Sequence, residues 1–284
     1  MENQQLVLLT PPTVELSELK NLFFQLSYKT CNLKCKHCYI ERNSYKNEED
    51  FLPLEKVKEN LMCLKGKKIE SIYLTGGEPL MHPDFNQILR MCLKTTNTTV
   101  MTNGTMINDK KARFLRKIDD ESSFETIYRV SLDSTNELEN DEIRGRGSFR
   151  KAILAIMSLM KYEFNPIISV VNYKNLPREE IFADFKEFFS KKGIEFDEIN
   201  LKVIPFFDKD LEIKEIKDYE EKNLDCYTSR VISKNGVYAC PMMVNDYRKR
   251  LGSNISDFSK INYLDCEKCS ICAKYGKIQV NDWL

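Results

Sequence analysis

The chain has 284 residues, 42% of them hydrophobic, enough for one large domain with a small appendage but short for two domains of average size. Lys plus Arg and Asp plus Glu both number 43, with the signs interspersed, which disfavours a phosphate-binding face and nucleic acid as an obligatory partner. No apolar run has the length of a membrane span, and residues 1–13 lack the basic, apolar and small-residue regions of a secretion signal. Ten cysteines without such a signal point to a reducing, cytoplasmic compartment, where clustered thiols serve as metal or redox sites and not as disulfides.

Residues 22–28 are apolar and aromatic and predict a strand, which runs directly into a cysteine-rich loop. Pro53 then opens a helical pattern through Leu54, Val57, Leu61 and Leu64 that Gly66 ends. Residues 69–74 alternate as a strand and lead into Thr75, Gly76, Gly77, Glu78 and Pro79. The alternation continues with helix 84–94, strand 98–102, helix 108–118, strand 126–132, helix 148–162, strand 166–171, helix 178–192 and strand 197–204. Six strands in series with helices between them imply parallel strands covered by crossover helices. Six are too few for a closed eight-fold barrel, so the expected fold class is α/β, a partial (β/α)6 barrel. In such folds ligands sit where loops leave the carboxyl ends of the strands. The polar, Gly-rich and Cys-rich segments fall at those ends: the cysteine loop, GGEP, Asn103 with Gly104, Asp133 with Ser134, and Asn172.

Cys31, Cys35 and Cys38 are spaced so that one short loop can present three sulfurs to a single inorganic centre. Thiolates suit iron–sulfur clusters, zinc and cuprous copper. A cubane is normally held by four cysteines, so three leave either a distant fourth ligand or one iron open for chemistry. A zinc knuckle completed by His37 or a remote residue is the alternative reading of the loop. The CxxxCxxC spacing followed by Tyr39 resembles the cluster loop of radical S-adenosylmethionine (radical SAM) enzymes. The resemblance implies that Cys31, Cys35 and Cys38 hold a [4Fe–4S] cluster whose open iron chelates the amino and carboxylate groups of SAM. One electron then cleaves SAM to a 5′-deoxyadenosyl radical. It also implies that the backbone at Tyr39 lies against the adenine.

Gly76, Gly77, Glu78 and Pro79 form a turn whose glycines permit close backbone approach. Placed one unit after the cysteines, the segment resembles the family's GGEP motif, which binds the amino group of the SAM methionine. The resemblance assigns Ser131 and Asp133, and with less weight Asn103, to the ribose, and Arg144 to the SAM carboxylate. A planar guanidinium meets a carboxylate through two parallel hydrogen bonds, although Arg144 beside Arg146 and Arg150 reads equally as a solvated loop arginine. His37 and His82 are expected to shape loops without acting in catalysis. Cys63 and Cys92 fall in helical patterns and are expected in the core.

Composition changes from Cys226 onward, with Cys226, Cys240, Cys266, Cys269 and Cys272 in one short stretch. Residues 229–233 and 237–240 predict a hairpin across Asn235 and Gly236, which brings Cys226 near Cys240. A hairpin and a CxxC pair can saturate one metal centre, a zinc ribbon by the same arithmetic. After a radical SAM core the tail resembles a twitch domain, a shortened relative of the SPASM extension that carries one auxiliary [4Fe–4S] cluster. The resemblance favours Cys226, Cys240, Cys269 and Cys272 as ligands, with Cys266 as an alternative ligand or, if spare, a hydrogen-atom donor.

The expected division is therefore 1–208 as the core and 209–284 as the small cysteine-rich auxiliary-cluster domain, with 209–223 a charged helical connector. The expected activity is an oxidoreductase or other C–H functionalising enzyme that dehydrogenates, epimerises or crosslinks its substrate. That substrate is a small molecule or a ribosomally made peptide, and the start of the core within about twenty residues of Met1 tilts the reading to a small molecule or a peptide brought by a separate partner. The resemblance implies a reduced flavodoxin or ferredoxin-type electron donor. The alternatives are a cysteine-rich zinc-binding protein without catalysis and a radical SAM enzyme acting on nucleic acid.

Overall fold

Strand segments rich in Phe, Tyr, Ile and Val are buried on both faces, as parallel sheets require when helices cover one side and something else fills the other. The computed structural model describes residues 11–40, 50–206, 216, 219–244 and 246–280. The first half runs β1 (Thr13–Glu15), β2 (Asn21–Gln25), α1 (Leu54–Met62), β3 (Ser71–Thr75), α2 (Phe85–Cys92), β4 (Thr98–Thr102), α3 (Asp109–Asp119) and β5 (Thr126–Ser131). Then follow α4 (Glu137–Arg144), α5 (Ser148–Lys161), β6 (Ile167–Asn172), α6 (Arg178–Ser190) and β7 (Leu201–Pro205). Strands β2 to β7 lie side by side in chain order and all parallel, so the serial alternation read from the sequence is the partial barrel of the structure.

Successive strand residues point to opposite faces, and they divide the core in two. Leu22, Phe24, Ile72, Leu74, Val100 and Val130 pack outward against the helices. Phe23 and Tyr73 point inward and stack with ring centroids 4.4 Å apart. Their inward cluster is completed by residues of the C-terminal part, among them Leu224, Val231, Tyr238, Met243 and Leu264. The cysteine-rich segment thus fills the inside of the barrel sheet.

That placement follows from a pairing the sequence reading did not anticipate. The expected hairpin forms as β8 (Ser229–Ser233) and β9 (Gly236–Tyr238), but β8 also pairs parallel with β2, from Asn21↔Ser229 to Phe24↔Ile232. β10 (Gly252–Asn254) and β11 (Asp257–Phe258) extend the same sheet to ten strands, while β12 (Ile261–Tyr263) pairs with β1. α7 (Cys266–Tyr275) carries the last cysteines. The expected strand 197–204 begins as a short 3-10 turn at Glu198–Asn200 before β7. The expected connector 209–223 falls largely outside the described residues, and Glu221–Asn223 are one 3-10 turn.

Candidate active site

The cysteine loop leaves β2 and is fastened at its start. The Asp50 carboxylate accepts from the backbone N–H groups of Tyr28, Lys29 and Thr30 at 3.1, 2.7 and 2.7 Å. Gly77 N–H and Glu78 N–H donate to the carbonyls of Ser27 and Thr30 at 3.1 and 2.9 Å, tying the GGEP turn to the same stretch. A Cβ at Gly76 would stand 2.5 Å from the Ser27 carbonyl oxygen, and one at Gly77 2.1 Å from that of Thr30. The close approach that the glycines permit is therefore, first of all, to the root of the cysteine loop.

The buried Glu78 carboxylate accepts from Leu80 N–H at 3.1 Å, from the Thr102 hydroxyl at 2.7 Å and from Asn103 N–H at 2.8 Å. It thereby locks the end of β3 to the end of β4. The Asn103 amide donates to the Asn32 side chain at 2.9 Å and lies 3.7 Å from Cys31 Sγ, so it braces the cysteine loop from the β4 side.

On the other side, the loop is held by a buried charge cluster. His37 Nε2 lies 2.6 Å and Arg144 Nε 2.7 Å from Asp133 Oδ2, and Val171 N–H donates to Oδ1 at 2.9 Å. Burial alone would raise the Asp133 carboxyl, but Arg144 and His37 outweigh it and hold it at about 2. The Asp133 side chain has no exposed surface: its oxygens are turned to Arg144, His37 and the β6 backbone, while Ser131 lines the cavity. Burial weakens the Arg144 cation, yet Asp133 and Cys35 more than compensate and keep it charged. Its guanidinium reaches to 3.9 Å from Cys35 Sγ. Arg144 is no solvated loop residue: it closes α4, a helix the sequence reading left as loop.

Cys31, Cys35 and Cys38 line one cavity together with Tyr39, Gly76, Gly77, Asn103, Ser131 and Arg144. Pro79 is buried at the start of a 3-10 turn and stiffens the exit from the glycines. Asn172 turns instead to its own loop, bonding to Leu176 in both directions. Among the described residues no three His, Cys, Asp or Glu side chains close on a point that would hold a single metal ion. The donor set fits an iron–sulfur cluster: three thiols on one wall, with Leu33 N–H 3.4 Å from Cys31 Sγ and the Asn103 and Arg144 donors aimed at sulfur. Such N–H donors near sulfur tune cluster potential.

The second group of cysteines also shares a cavity. Cys226, Cys240, Cys269 and Cys272, the four that the resemblance favours, line a small, mainly apolar cavity. Burial pushes the Cys226 thiol up to about 11 and that of Cys269 to about 12, and also raises Cys240 and Cys272. Buried Arg230 donates to the carbonyls of Cys226, Ser229 and Lys260 and stiffens the base of this site. A set of four thiols in so dry a place fits a cationic centre that would hold them as thiolates. α7 begins at Cys266, but its side chain lies outside the described residues, and with it the expected donor role.

Two residues unnoticed in the sequence shape the wall between the two sites. Asp225, fully buried, accepts from the N–H groups of Ile278, Gln279 and Val280 at 3.1, 2.9 and 3.2 Å. Arg129, on the inward face of β5, donates to Ser169 Oγ at 3.2 Å and to the Gln279 carbonyl. Met242, Ile278 and Gln279 line both cavities, and an apolar cluster of Met242, Ile271 and Ile278 packs against Tyr39 on one side and Cys240 and Cys272 on the other.

Comparison with known proteins agrees with this arrangement. The sequence model of the Radical SAM superfamily matches residues 26–190. The chain is 34% identical to the antilisterial bacteriocin subtilosin biosynthesis protein AlbA of Bacillus subtilis, over 48% of this chain and 29% of AlbA. It is 29% identical to the mycofactocin maturase MftC of Mycolicibacterium smegmatis, over 57% of this chain and 40% of MftC. The chain thus spans less than half the length of these curated relatives. Among solved structures, anSMEcpe with bound AdoMet matches with a TM-score of 0.64 at 19% identity, covering 84% of this chain and 78% of that one. SuiB of Streptococcus suis bound to precursor peptide SuiA matches with a TM-score of 0.63 at 17% identity, covering 84% and 63%. At these identities the structural likeness establishes the fold alone. With more than half of its length matched and the CxxxCxxC loop and GGEP turn facing one cavity, the chain belongs to the radical SAM superfamily, whose members use a [4Fe–4S] cluster and S-adenosylmethionine.

Proposed function

We propose that this chain cleaves SAM reductively and abstracts hydrogen from a C–H bond of a peptide, with residues 209–284 supplying an auxiliary cluster that accepts the electron left on the substrate. The observation that carries the reading is the shared wall: Met242, Ile278 and Gln279 touch both the cavity of the three-cysteine loop and that of the four remaining cysteines. A substrate in the first cavity would lie one side chain away from the second centre. The peptide class is supported by the relatives, since AlbA acts in bacteriocin biosynthesis and SuiB was solved with a precursor peptide.

Cys31, Cys35 and Cys38 would hold the first cluster, and Cys226, Cys240, Cys269 and Cys272 the auxiliary one. When bound, the first cluster supplies the electron that splits SAM into methionine and the radical that removes the substrate hydrogen. The chain's own residues do the positioning. Gly76 and Gly77 keep a turn open beside the cysteines, Glu78 fixes it to β4, and Arg144, charged, anchored on Asp133 and lining the cavity, would meet the SAM carboxylate. Tyr39 and the apolar Met242, Ile271 and Ile278 line the cavity and would keep water from the reacting carbon.

Anaerobic reconstitution tests the reading. Two cubanes require about eight irons per chain and a broad charge-transfer absorption. Two colourless zinc ions would favour a non-catalytic zinc protein instead. Incubating the reconstituted enzyme, SAM and reductant with candidate precursor peptides should yield a peptide lighter by two hydrogens, read by mass spectrometry.

A further inference from the structure

Arg230, in β8, is fully buried, and its hydrogen bonds end on neutral oxygens. Nη1 donates to the carbonyls of Cys226 and Ser229 at 2.7 Å each, and Nη2 to that of Lys260 at 2.6 Å. The guanidinium lies over the Phe258 ring, 5.6 Å from its centroid, and Nε has no hydrogen-bond partner among the described residues. No Asp or Glu pairs with Arg230 among the described residues, and the ionisable groups whose charge acts on it are Cys226 and Cys240. The carboxylate that lines the four-cysteine cavity, Asp225, is turned instead to the N–H groups of Ile278, Gln279 and Val280.

A buried cation is costly unless an anion stands near it, and carbonyls do not supply one. Four thiolates around an iron–sulfur core do, because the assembly is anionic and each electron added deepens its charge by one. Asn262, 1% exposed on β12, adds a donor on the same side: its side chain lines the cavity and hydrogen-bonds the Cys226 sulfur. Net charge and hydrogen bonds to the sulfurs set the potential of such a cluster. Resting on the reading above that these four cysteines hold an auxiliary cluster, we infer that Arg230 is the built-in counter-charge of that cluster and, with Asn262, raises its reduction potential. The inference concerns one electron. In the proposed reaction the substrate radical gives it up and releases a proton to bulk solvent, while the auxiliary centre is reduced by one.

The test is a dithionite redox titration of the reconstituted full chain, followed by electron paramagnetic resonance. The signal that stays unchanged when SAM is added belongs to the auxiliary centre. Arg230→Met, at unchanged second-site iron, should make reduction of that centre at least about tenfold less favourable, a midpoint lower by ~59 mV for one electron. Arg230→Lys should recover most of the shift, and Asn262→Leu should lower the midpoint by less. A role in packing alone would move stability and leave the midpoint in place. An Arg230→Met midpoint at or above that of the wild type overturns the inference. If Arg230→Met loses its second-site iron, an unchanged midpoint in Asn262→Leu overturns it. In the wild type the auxiliary centre should be reduced before the three-cysteine one, and the reverse order overturns the inference whether or not the variants fold. The same preparations are assayed for 5′-deoxyadenosine. Nucleoside release with a midpoint indifferent to Arg230 sinks the inference and spares the reaction, whereas the predicted shift without nucleoside release spares the inference and sinks the reaction. A second site without iron sinks the inference together with the auxiliary cluster.

Discussion

Gly77 lies so close to Thr30 that a Cβ on the glycine would stand 2.1 Å from the threonine's carbonyl oxygen. The GGEP turn and the root of the cysteine loop are thus one packed unit, joined by the bond from Glu78 N–H to the Thr30 carbonyl. Gly77→Ala should force the two backbones apart, and overpacking of this kind costs about 1–3 kcal/mol. Chemical denaturation should show a loss of that order, and the variant should take up less iron at its first site. Full stability with full iron would show that the contact is slack.

Arg144 and Asp133 form the second brace of that loop. Asp133→Asn leaves the Arg144 cation buried with its counter-charge removed, and breaking a buried pair from one side costs about 3–5 kcal/mol. Urea unfolding should register this loss, with a larger effect than a substitution at the exposed pair of Lys36 and Glu142.

His82 gives the fold a pH dependence of definite sign. Its Nε2–H donates to the Leu52 carbonyl at 2.9 Å and its Nδ1 accepts from Asp84 N–H at 3.0 Å, an arrangement that requires the neutral ring. Burial lowers its pKa, against the weaker opposing effect of the Leu52 carbonyl. The unfolded chain takes up this proton near pH 6.5 and the folded chain only at lower pH. The stabilisation is therefore complete above about pH 6.5 and lost as pH falls through the folded value. Unfolding free energies of wild type minus His82→Gln, measured from pH 8 to pH 5, should shrink toward the acid end by this contribution; a flat difference would contradict it.

Asp225 holds three successive backbone amides of the C-terminal segment. Hydrogen bonds of this kind contribute about 0.5–1.5 kcal/mol each, so Asp225→Ala should loosen the wall shared by the two cavities. Hydrogen exchange at Ile278, Gln279 and Val280 should quicken while amides of β3 and β4 stay protected. Unchanged exchange at the three positions would remove Asp225 from the wall.

Most of the barrel was legible because its strands and helices carry clean periodicity: β4 begins and ends where the run TTVMT does, and α5 follows its apolar stripe. α4 was missed because its apolar residues are few and Leu138 is 81% exposed. Its ends were readable all the same, since Asn136 caps the first turn and Gly145 follows the last. The pairing of β8 with β2 was not legible, because a hairpin's local pattern does not say which distant edge it joins. The cysteines announced their site through spacing, while Asp50, Asp225 and Arg129 are isolated charges whose partners lie far along the chain. Asp133 was rightly placed at a strand end, but which way its carboxylate turns depends on α4, and that helix was unseen.

The central claim is that three sulfurs at the mouth of this barrel carry a centre that delivers an electron to SAM. It is tested most directly by giving the reconstituted, oxygen-protected protein SAM and dithionite and measuring 5′-deoxyadenosine by chromatography. The account predicts nucleoside release that Cys35→Ala abolishes while the iron of the second site is retained. Wild-type protein with its full iron content that releases none would contradict it.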